Sequence, residues 1–318
     1  MNWGDFPPVL FGLTMTIQEF KTTFTSQLTS SPSAALDISI FLQDCLNKDK
    51  AWILMNRDYV LSDEQLAWLE DAVQKRNTGL PVAYITGHKE FYGYDFLVTQ
   101  DVLIPKPDTE ILVENAIDLI KDKIYANPGK ILMICDMCTG SGCIGLSVLR
   151  SLLDDSDIPF AQIPHFTLCD ISPAALDVAR RNAAKLFTED EQERIRFVHS
   201  NLFYDVPWDF DAVLTNPPYI PAEMTDELLK DGRSEPRLAL DGDVTEFGTA
   251  SGSNDGLDII RRLVPQSYGR LIHNGIFLME TGEYNADEAR ALCEETGFRK
   301  TKTILDLEGQ KRVTYGIK

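Results

Sequence analysis

Between about residues 16 and 78 the apolar positions fall at helical spacing. Ile38, Phe41, Leu42 and Cys45 share one face, and Leu66, Leu69 and Val73 repeat the pattern. Ser62-Asp63-Glu64-Gln65 opens the second run, with Ser62 as the cap and Gln65 closing a capping box. This part reads as a small helical domain without chemistry of its own. Residues 79–87 and 90–98 then combine aromatic and β-branched side chains with glycine punctuation, which predicts a β-hairpin linking two domains. Residues 103–110 lead into a further helix whose apolar face is Leu112, Val113, Ala116, Ile117 and Ile120.

From Lys130 onward strand-like and helix-like segments alternate, the signature of an α/β sheet. The pattern predicts strands over 131–136, 165–170, 194–200, 210–215, 275–280, 299–305 and 311–317, with helices over 142–153, 172–187, 255–268 and 285–296. Ser172-Pro173 supplies a cap and a first-turn proline to the second helix. The stretch 220–254, rich in Pro, Gly, Asp and Ser, reads as a loop or lid, and its part 241–254 as mobile. The expected organisation is an N-terminal extension (1–15), a helical domain (16–88), a β-hairpin linker (89–106) and an α/β domain (107–318).

The chain has 318 residues, 44% hydrophobic and 25% charged, the profile of an ordinary globular protein of two domains. No apolar run reaches the roughly 18 residues of a membrane span. The first residues lack the basic n-region and cleavage site of a signal peptide. A net charge of −19 argues against a protein that lives on nucleic acid, because phosphate contacts need a basic surface. Arg180-Arg181 and Arg261-Arg262, the densest basic spots, read as solvated helix faces. Six scattered cysteines fit a reducing cytoplasm better than a disulfide scaffold. Cys135 and Cys138 have a spacing that can bind metal, but no paired histidine cluster completes a ligand set, and Cys135 lies in an apolar strand as a core filler. No metal is expected.

The most informative residues are Asn216-Pro217-Pro218-Tyr219, which follow the strand 210–215. Each proline fixes its own φ and removes a backbone donor, and Pro218 pushes Pro217 into extended conformations. The result is a stiff cup of acceptors, the Asn216 side-chain oxygen and the neighbouring carbonyls, suited to the two N–H donors of an amide or a base amine. Tyr219 offers a flat face for a planar group. The competing reading is a plain Pro-rich turn.

The strand 131–136 ends in Asp136, followed by Met137-Cys138-Thr139-Gly140-Ser141-Gly142-Cys143-Ile144-Gly145. A glycine turn between strand and helix lets a ligand approach the backbone, with helix N–H groups aimed at it. Gly140, Gly142 and Gly145 also match the dinucleotide pattern, so a nicotinamide enzyme stays open. Two features favour S-adenosylmethionine. An acid, Asp136, immediately precedes the loop, and the next strand ends in Asp170, placed to accept ribose hydroxyl protons, farther along than a dinucleotide unit expects. Asn201-Leu202 after the third strand would frame an adenine, and Asn216 after the fourth would stand where the methyl arrives.

Taken in order, these segments resemble a known family. Residues 79–87, Glu90-Phe91, 103–110, the glycine loop, Asn216-Pro217-Pro218-Tyr219-Ile220, Glu235-Pro236-Arg237, Asp255-Gly256-Leu257 and Gly309-Gln310-Lys311-Arg312-Val313 are similar to those of the peptide chain release factor glutamine N5-methyltransferases, the HemK/PrmC family. The resemblance covers about residues 75–318. It implies a Rossmann-like class I methyltransferase domain with a seven-stranded mixed sheet, and a helical N-terminal domain that helps hold the release factor. It implies S-adenosylmethionine as cofactor and S-adenosylhomocysteine as product. Asp136, Cys138, Thr139, Gly140, Ser141, Gly142, Asp170, Asn201, Leu202 and Asn216 match cofactor positions, and Asn216 to Tyr219 match the quartet that binds the glutamine amide. Departures are Cys138 where a glycine is usual, Lys106 for a frequent arginine, Leu202 for an aromatic, and a longer 241–254 segment.

A carboxamide nitrogen is a poor nucleophile, and in this reading acceptors at Asn216 and Pro217 polarise and aim it, with Tyr219 against its plane and Thr109 and Glu110 either at the methionine end or, with equal weight, at a helix start. The partners implied are release factors, without nucleic acid or membrane, in the cytoplasm. The alternatives are a glutamine methyltransferase of a ribosomal protein, an N6-adenine DNA methyltransferase, which would need to flip a base and grip phosphates, a non-catalytic nucleotide-binding module, and a nicotinamide dehydrogenase.

Overall fold

The computed structural model describes residues 14–230 and 235–318. The expected N-terminal extension over 1–15 lies almost wholly outside the described residues. The chain divides into two compact units, one running to Thr86 and one starting at Gly87.

In the first unit a short strand pair, β1 (Met15–Thr16) and β2 (Val60–Leu61), accompanies helices α1 (Ile17–Gln27), α2 (Ala34–Leu46), α3 (Lys50–Met55), α4 (Asp63–Asn77) and α5 (Val82–Thr86). Capping boxes start α1 at Thr16 with Glu19 and α4 at Ser62 with Gln65. The expected helical stripes, Ile38, Phe41 and Leu42 with Leu69 and Val73, close on Phe20, Phe24 and Ile53 in one core. A buried Asp37–Arg76 pair at 2.7 Å fastens α2 to α4. The segment 79–87 is not a hairpin strand. The Pro81 carbonyl accepts the N–H groups of Tyr84 and Ile85 and starts α5 despite the β-branched residues that favour a strand.

In the second unit the hairpin is β3 (His88–Phe91) with β4 (Tyr94–Leu97). Its two-residue turn has Tyr92 at φ 51° and Gly93 at φ 77°, the doubly positive geometry that matches strand twist. Then follow α6 (Glu110–Ala126), β5 (Met133–Met137), α7 (Cys143–Asp154), β6 (His165–Asp170), α8 (Pro173–Leu186), α9 (Glu189–Gln192), β7 (Ile195–His199), β8 (Phe210–Thr215), α10 (Ala222–Lys230), α11 (Asp258–Arg270), β9 (Leu271–Glu280), α12 (Ala286–Thr296), β10 (Arg299–Leu305) and β11 (Lys311–Ile317).

The sheet has seven strands in the order β10-β11-β9-β8-β5-β6-β7. β9, β8, β5, β6 and β7 run parallel, while β11 and β10 add antiparallel, so the sheet is mixed. Alternate side chains feed two apolar layers. Ile134 of β5 packs on the side of α6 and α7, among Leu112, Ile120 and Leu149. Cys135 packs on the opposite side with Ile260 and Leu263 of α11 and Cys293 of α12, a core filler as expected. Helices on both faces of parallel strands leave the carboxyl ends of β5, β6, β7 and β8 open together, where such sheets bind ligands. Among the described residues no helix is long and apolar enough to cross a membrane.

Candidate active site

The loop after β5 is built for close backbone approach. Cys138 at φ 59°, Gly140 at 55° and Gly142 at 84° turn the chain sharply into α7. Asp136 is fully buried beneath this turn. Its Oδ2 accepts from the Thr139 hydroxyl at 2.6 Å and the Gly145 N–H at 2.9 Å, while Oδ1 has no hydrogen-bond partner. Burial pushes this carboxyl up to about 7 against those two hydrogen bonds. Gly145 is required because a Cβ there would lie 2.9 Å from Asp136 Oδ2. Buried Asn182 of α8 donates to the Ser141 carbonyl at 2.9 Å and holds the far side of the loop.

Asp170 ends β6 beside this turn. One carboxylate oxygen accepts from the Gly140 N–H at 2.9 Å, the other from Ser172 N–H at 2.9 Å. Burial raises its pKa, and the Ser172, Gly140 and Ile171 amides oppose the shift. A carboxylate has roughly four acceptor sites, so capacity remains for a ligand's hydroxyl groups. After β7, Leu202 adopts φ 50°, held by a 2.7 Å bond from the Ser200 hydroxyl to its carbonyl.

Asn216 follows β8, and β8 pairs in parallel with β5 so that Thr215 faces Met137. Asn216 and Cys138 thus leave the sheet side by side, one strand spacing of about 4.8 Å apart in the ladder. A cavity of about 260 Å³ joins them. Its lining includes Cys138, Thr139, Gly140 and Ser141 from the loop, Asp170, Asn201 and Leu202 from the next two strand ends, and Asn216 and Pro218 from the quartet. Asp136, Gly142, Pro217 and Tyr219 do not line it. Asp136 braces from below, Gly142 starts α7 and Pro217 is buried.

The lining also contains residues to which the sequence assigns no place in the site. Leu103, Pro105 and Lys106 come from the segment before α6, and Val244, Thr245 and Arg262 from the far end. Thr109 lines the cavity, the first of its two expected roles, whereas Glu110 takes the second, opening α6 and accepting from Tyr92 N–H at 3.1 Å. Arg262, expected on a solvated face, donates to the Val244 carbonyl at 2.9 Å.

A sequence model of the PrmC N-terminal domain matches residues 20–87, and one of the methyltransferase small domain matches residues 116–234. The release factor glutamine methyltransferase of Clostridium acetobutylicum is 33% identical over 89% of this chain and 90% of its own length. That of Leptospira interrogans is 34% identical over 88% and 90%, and that of Koribacter versatilis 34% over 91% and 92%. The chain belongs to the release factor glutamine methyltransferases. A solved SAM-dependent methyltransferase from Agrobacterium tumefaciens aligns with a TM-score of 0.43 at 12% identity, over 72% of this chain and 68% of that one.

In this release factor glutamine methyltransferase the quartet is fastened from behind. The Tyr219 hydroxyl donates to Glu280 Oε1 at 3.2 Å, and burial beside Glu280 raises its pKa well above the usual phenol range. Expected to lie against a ligand plane, Tyr219 has its polar end committed to this anchor. Its carbonyl accepts from Asn285 at 3.0 Å and Tyr284 at 3.3 Å. Gly256, φ 73°, presses on the same peptide; a Cβ there would lie 2.0 Å from the Tyr219 carbonyl oxygen.

The stretch expected to be a loop begins with α10, and the part expected to be mobile contains a buried anchor. Buried Asp243 accepts from Ala222 N–H at 3.0 Å and Gly256 N–H at 2.8 Å, so the insert itself caps α10. At the rim Lys106 pairs with Glu235 at 2.6 Å, joining two of the family-like motifs.

Proposed function

We propose that this protein transfers a methyl group from S-adenosylmethionine to the side-chain amide nitrogen of a glutamine in peptide chain release factors. The observation that carries the reading is the shared cavity: the acceptor cup at Asn216 and the glycine turn at Cys138 to Ser141 open into one space from neighbouring strand ends.

The residues fit the cofactor. Asp170 offers a carboxylate at the cavity wall to the ribose hydroxyl groups. Leu202 and Asn201 frame the base, and Gly140 leaves open space where a side chain would stand. The loop residues 138–141 hold the methionine end, with Asp136 keeping their shape from beneath. When bound, the cofactor supplies an electrophilic methyl on a sulfonium centre.

The protein's own contribution is alignment. Asn216 Oδ1 accepts an amide N–H bond, turns the nitrogen toward the methyl and helps exclude water around it, while Pro217, expected as a second acceptor, lies behind the cavity wall. Pro218 closes the wall and Tyr219 holds the quartet rigid. The bound cofactor would keep the electron pair of the broken C–S bond, so this chain's part is to hold the nitrogen in line and let its one released proton pass to water. No strong base is required. The reading needs no metal, and it places the enzyme in the cytoplasm with its release factor substrates.

The test incubates the enzyme with labelled cofactor and, separately, release factor, ribosomal protein and DNA, and locates the label by mass spectrometry. Label on a release factor glutamine is the expected result; label on DNA or on a ribosomal protein alone would overturn it. Asn216→Ala is expected to lower turnover by roughly 100- to 1000-fold, the usual cost of losing one preorganised polar group, with cofactor binding by calorimetry retained. Unchanged turnover would remove Asn216 from the mechanism.

A further inference from the structure

At the end of the cavity where Asn201 and Leu202 lie, a flat ligand group meets no ring. Among the described residues that line the cavity, none is Phe, Tyr or Trp. Stacking of the kind aromatic side chains offer is therefore absent from the walls. The same end is covered by a turn of the 241–254 segment. Val244 and Ala250 form an antiparallel bridge, and the Thr245 N–H donates to the Thr249 carbonyl at 2.8 Å. The Gly248 N–H donates to the Thr245 carbonyl at 3.0 Å, and the Thr245 and Thr249 hydroxyls lie 2.8 Å apart.

The turn thus engages much of its own polar surface, and Val244, Thr245 and Gly248 line the cavity. Val244 packs into one apolar cluster with Leu202 and Ile259, which are lining residues too. Aliphatic side chains from three separate segments therefore meet at one place. Such a wall holds a flat ring by dispersion and by removing its faces from water.

Two side chains clamp the turn in place. Asn201 Nδ2 donates to the Glu246 carbonyl at 2.8 Å. Arg262 of α11 donates from Nη2 to the Val244 carbonyl at 2.9 Å and from Nε to the Asp258 carbonyl at 3.4 Å. Its neighbour Arg261 pairs with Asp255 and Asp258, whereas Arg262 is in no ion pair among the described residues. A guanidinium bonded to main-chain carbonyls fixes a peptide more firmly than a neutral donor does. The root of the turn is held as well, because the Gly242 N–H donates at 2.9 Å to the carbonyl of Ile220, the residue after the quartet.

We propose that Arg262 is a positioning residue for the cofactor: by holding the Val244 carbonyl it keeps the 244–250 turn across the cavity, where Val244, Leu202 and Ile259 grip the adenine of S-adenosylmethionine. The inference rests on the reading of this cavity as the cofactor site. It gives the 241–254 segment a task at the base end, separate from the Asp243 cap of α10.

The experiment uses the full-length enzyme and measures Kd by calorimetry for S-adenosylmethionine and for adenosine, which carries the base and ribose alone. Arg262→Ala is expected to raise both by roughly 10-fold, the scale of one hydrogen bond to a charged group. Val244→Ala trims the wall and leaves the clamp, and should raise both by roughly 3- to 10-fold. The double variant should lose less than the product of the two, because the clamp acts through that wall. Arg262→Lys, which keeps a charged donor, should recover part of the loss. In methyl transfer to release factor, the cofactor KM of Arg262→Ala should rise by more than kcat falls. Phe247→Ser, at the exposed tip and outside the cavity lining, should keep both Kd values within about twofold. An unchanged adenosine Kd in Arg262→Ala, or an equal loss in Phe247→Ser, would overturn the proposal. Where Arg262→Ala does not fold, an unchanged adenosine Kd in Val244→Ala overturns it instead. If the wild-type enzyme binds no S-adenosylmethionine, the functional reading fails; if it binds and both variants bind as tightly, the role of Arg262 fails alone.

Discussion

Cys138 holds a left-handed conformation, φ 59°, at a cavity-lining position. A non-glycine residue there costs roughly 1–2 kcal/mol of strain, offset in part by contacts of a thiol that burial keeps protonated. Cys138→Gly is therefore expected to change stability by less than about 1 kcal/mol and cofactor Kd by less than about threefold. A tenfold loss in calorimetry would assign the thiol a direct cofactor contact. Asp136 and Glu280 make a second prediction. Burial raises both carboxyls to about 7 from ordinary values of 3.8 and 4.5. Between about pH 4 and pH 7 the folded protein keeps protons that the unfolded chain releases, so stability falls as pH rises through that window. The thermal midpoint of the cofactor-free enzyme should thus decline from about pH 5 to pH 7.5, and Asp136→Asn should flatten the slope by about one proton. A slope unchanged in Asp136→Asn would show that this carboxyl titrates normally. Carboxylates held low, such as Asp255 beside Arg261, act only on the acid side, where their stabilisation is lost.

At the scale of elements, the quartet keeps its shape because other segments crowd its backbone. Gly256→Ala would place a methyl against the Tyr219 peptide. The expected result is a drop of roughly 1–3 kcal/mol in stability and a larger loss in kcat than in cofactor affinity, read by denaturant melts and kinetics. Equal losses in both would show that the pressure is not specific to the quartet. The sequence displays the Asp255-Gly256 pair but not its purpose, since the partner peptide lies far off in the chain. The same contrast runs through the site. Asp136, the glycine turn and Asp170 are legible because each strand end is announced by a local change of pattern. Asn216 is legible because two prolines stiffen it. Glu280, Arg262 and Val244 are not, since their roles arise from strand order and from a turn folded back over the cavity. Residues 82–86 mislead because Val82 and Ile85 favour strands, and a carbonyl from Pro81 overrides that preference. Residues 222–230 are hidden because their helix is capped by Asp243 and Asn254 from a distant segment.

At the scale of the molecule, the described residues that line the cavity all belong to the unit starting at Gly87. The helical unit up to Thr86 has its own core. A chain beginning at Gly87 is therefore expected to bind cofactor with a Kd within about threefold of the whole protein, and to lose most methylation of an intact release factor. Full turnover of intact release factor by that fragment would remove the helical unit from substrate binding. The ladder between β5 and β8 carries one more consequence. A slip of one residue would swing Asn216 to the opposite side of the sheet and put the two ends about 3.3 Å out of step. Taste for one acceptor or another can drift with the rim and the quartet, whereas the gap the carbon must leap is set by main-chain rungs that no single side-chain replacement rewrites.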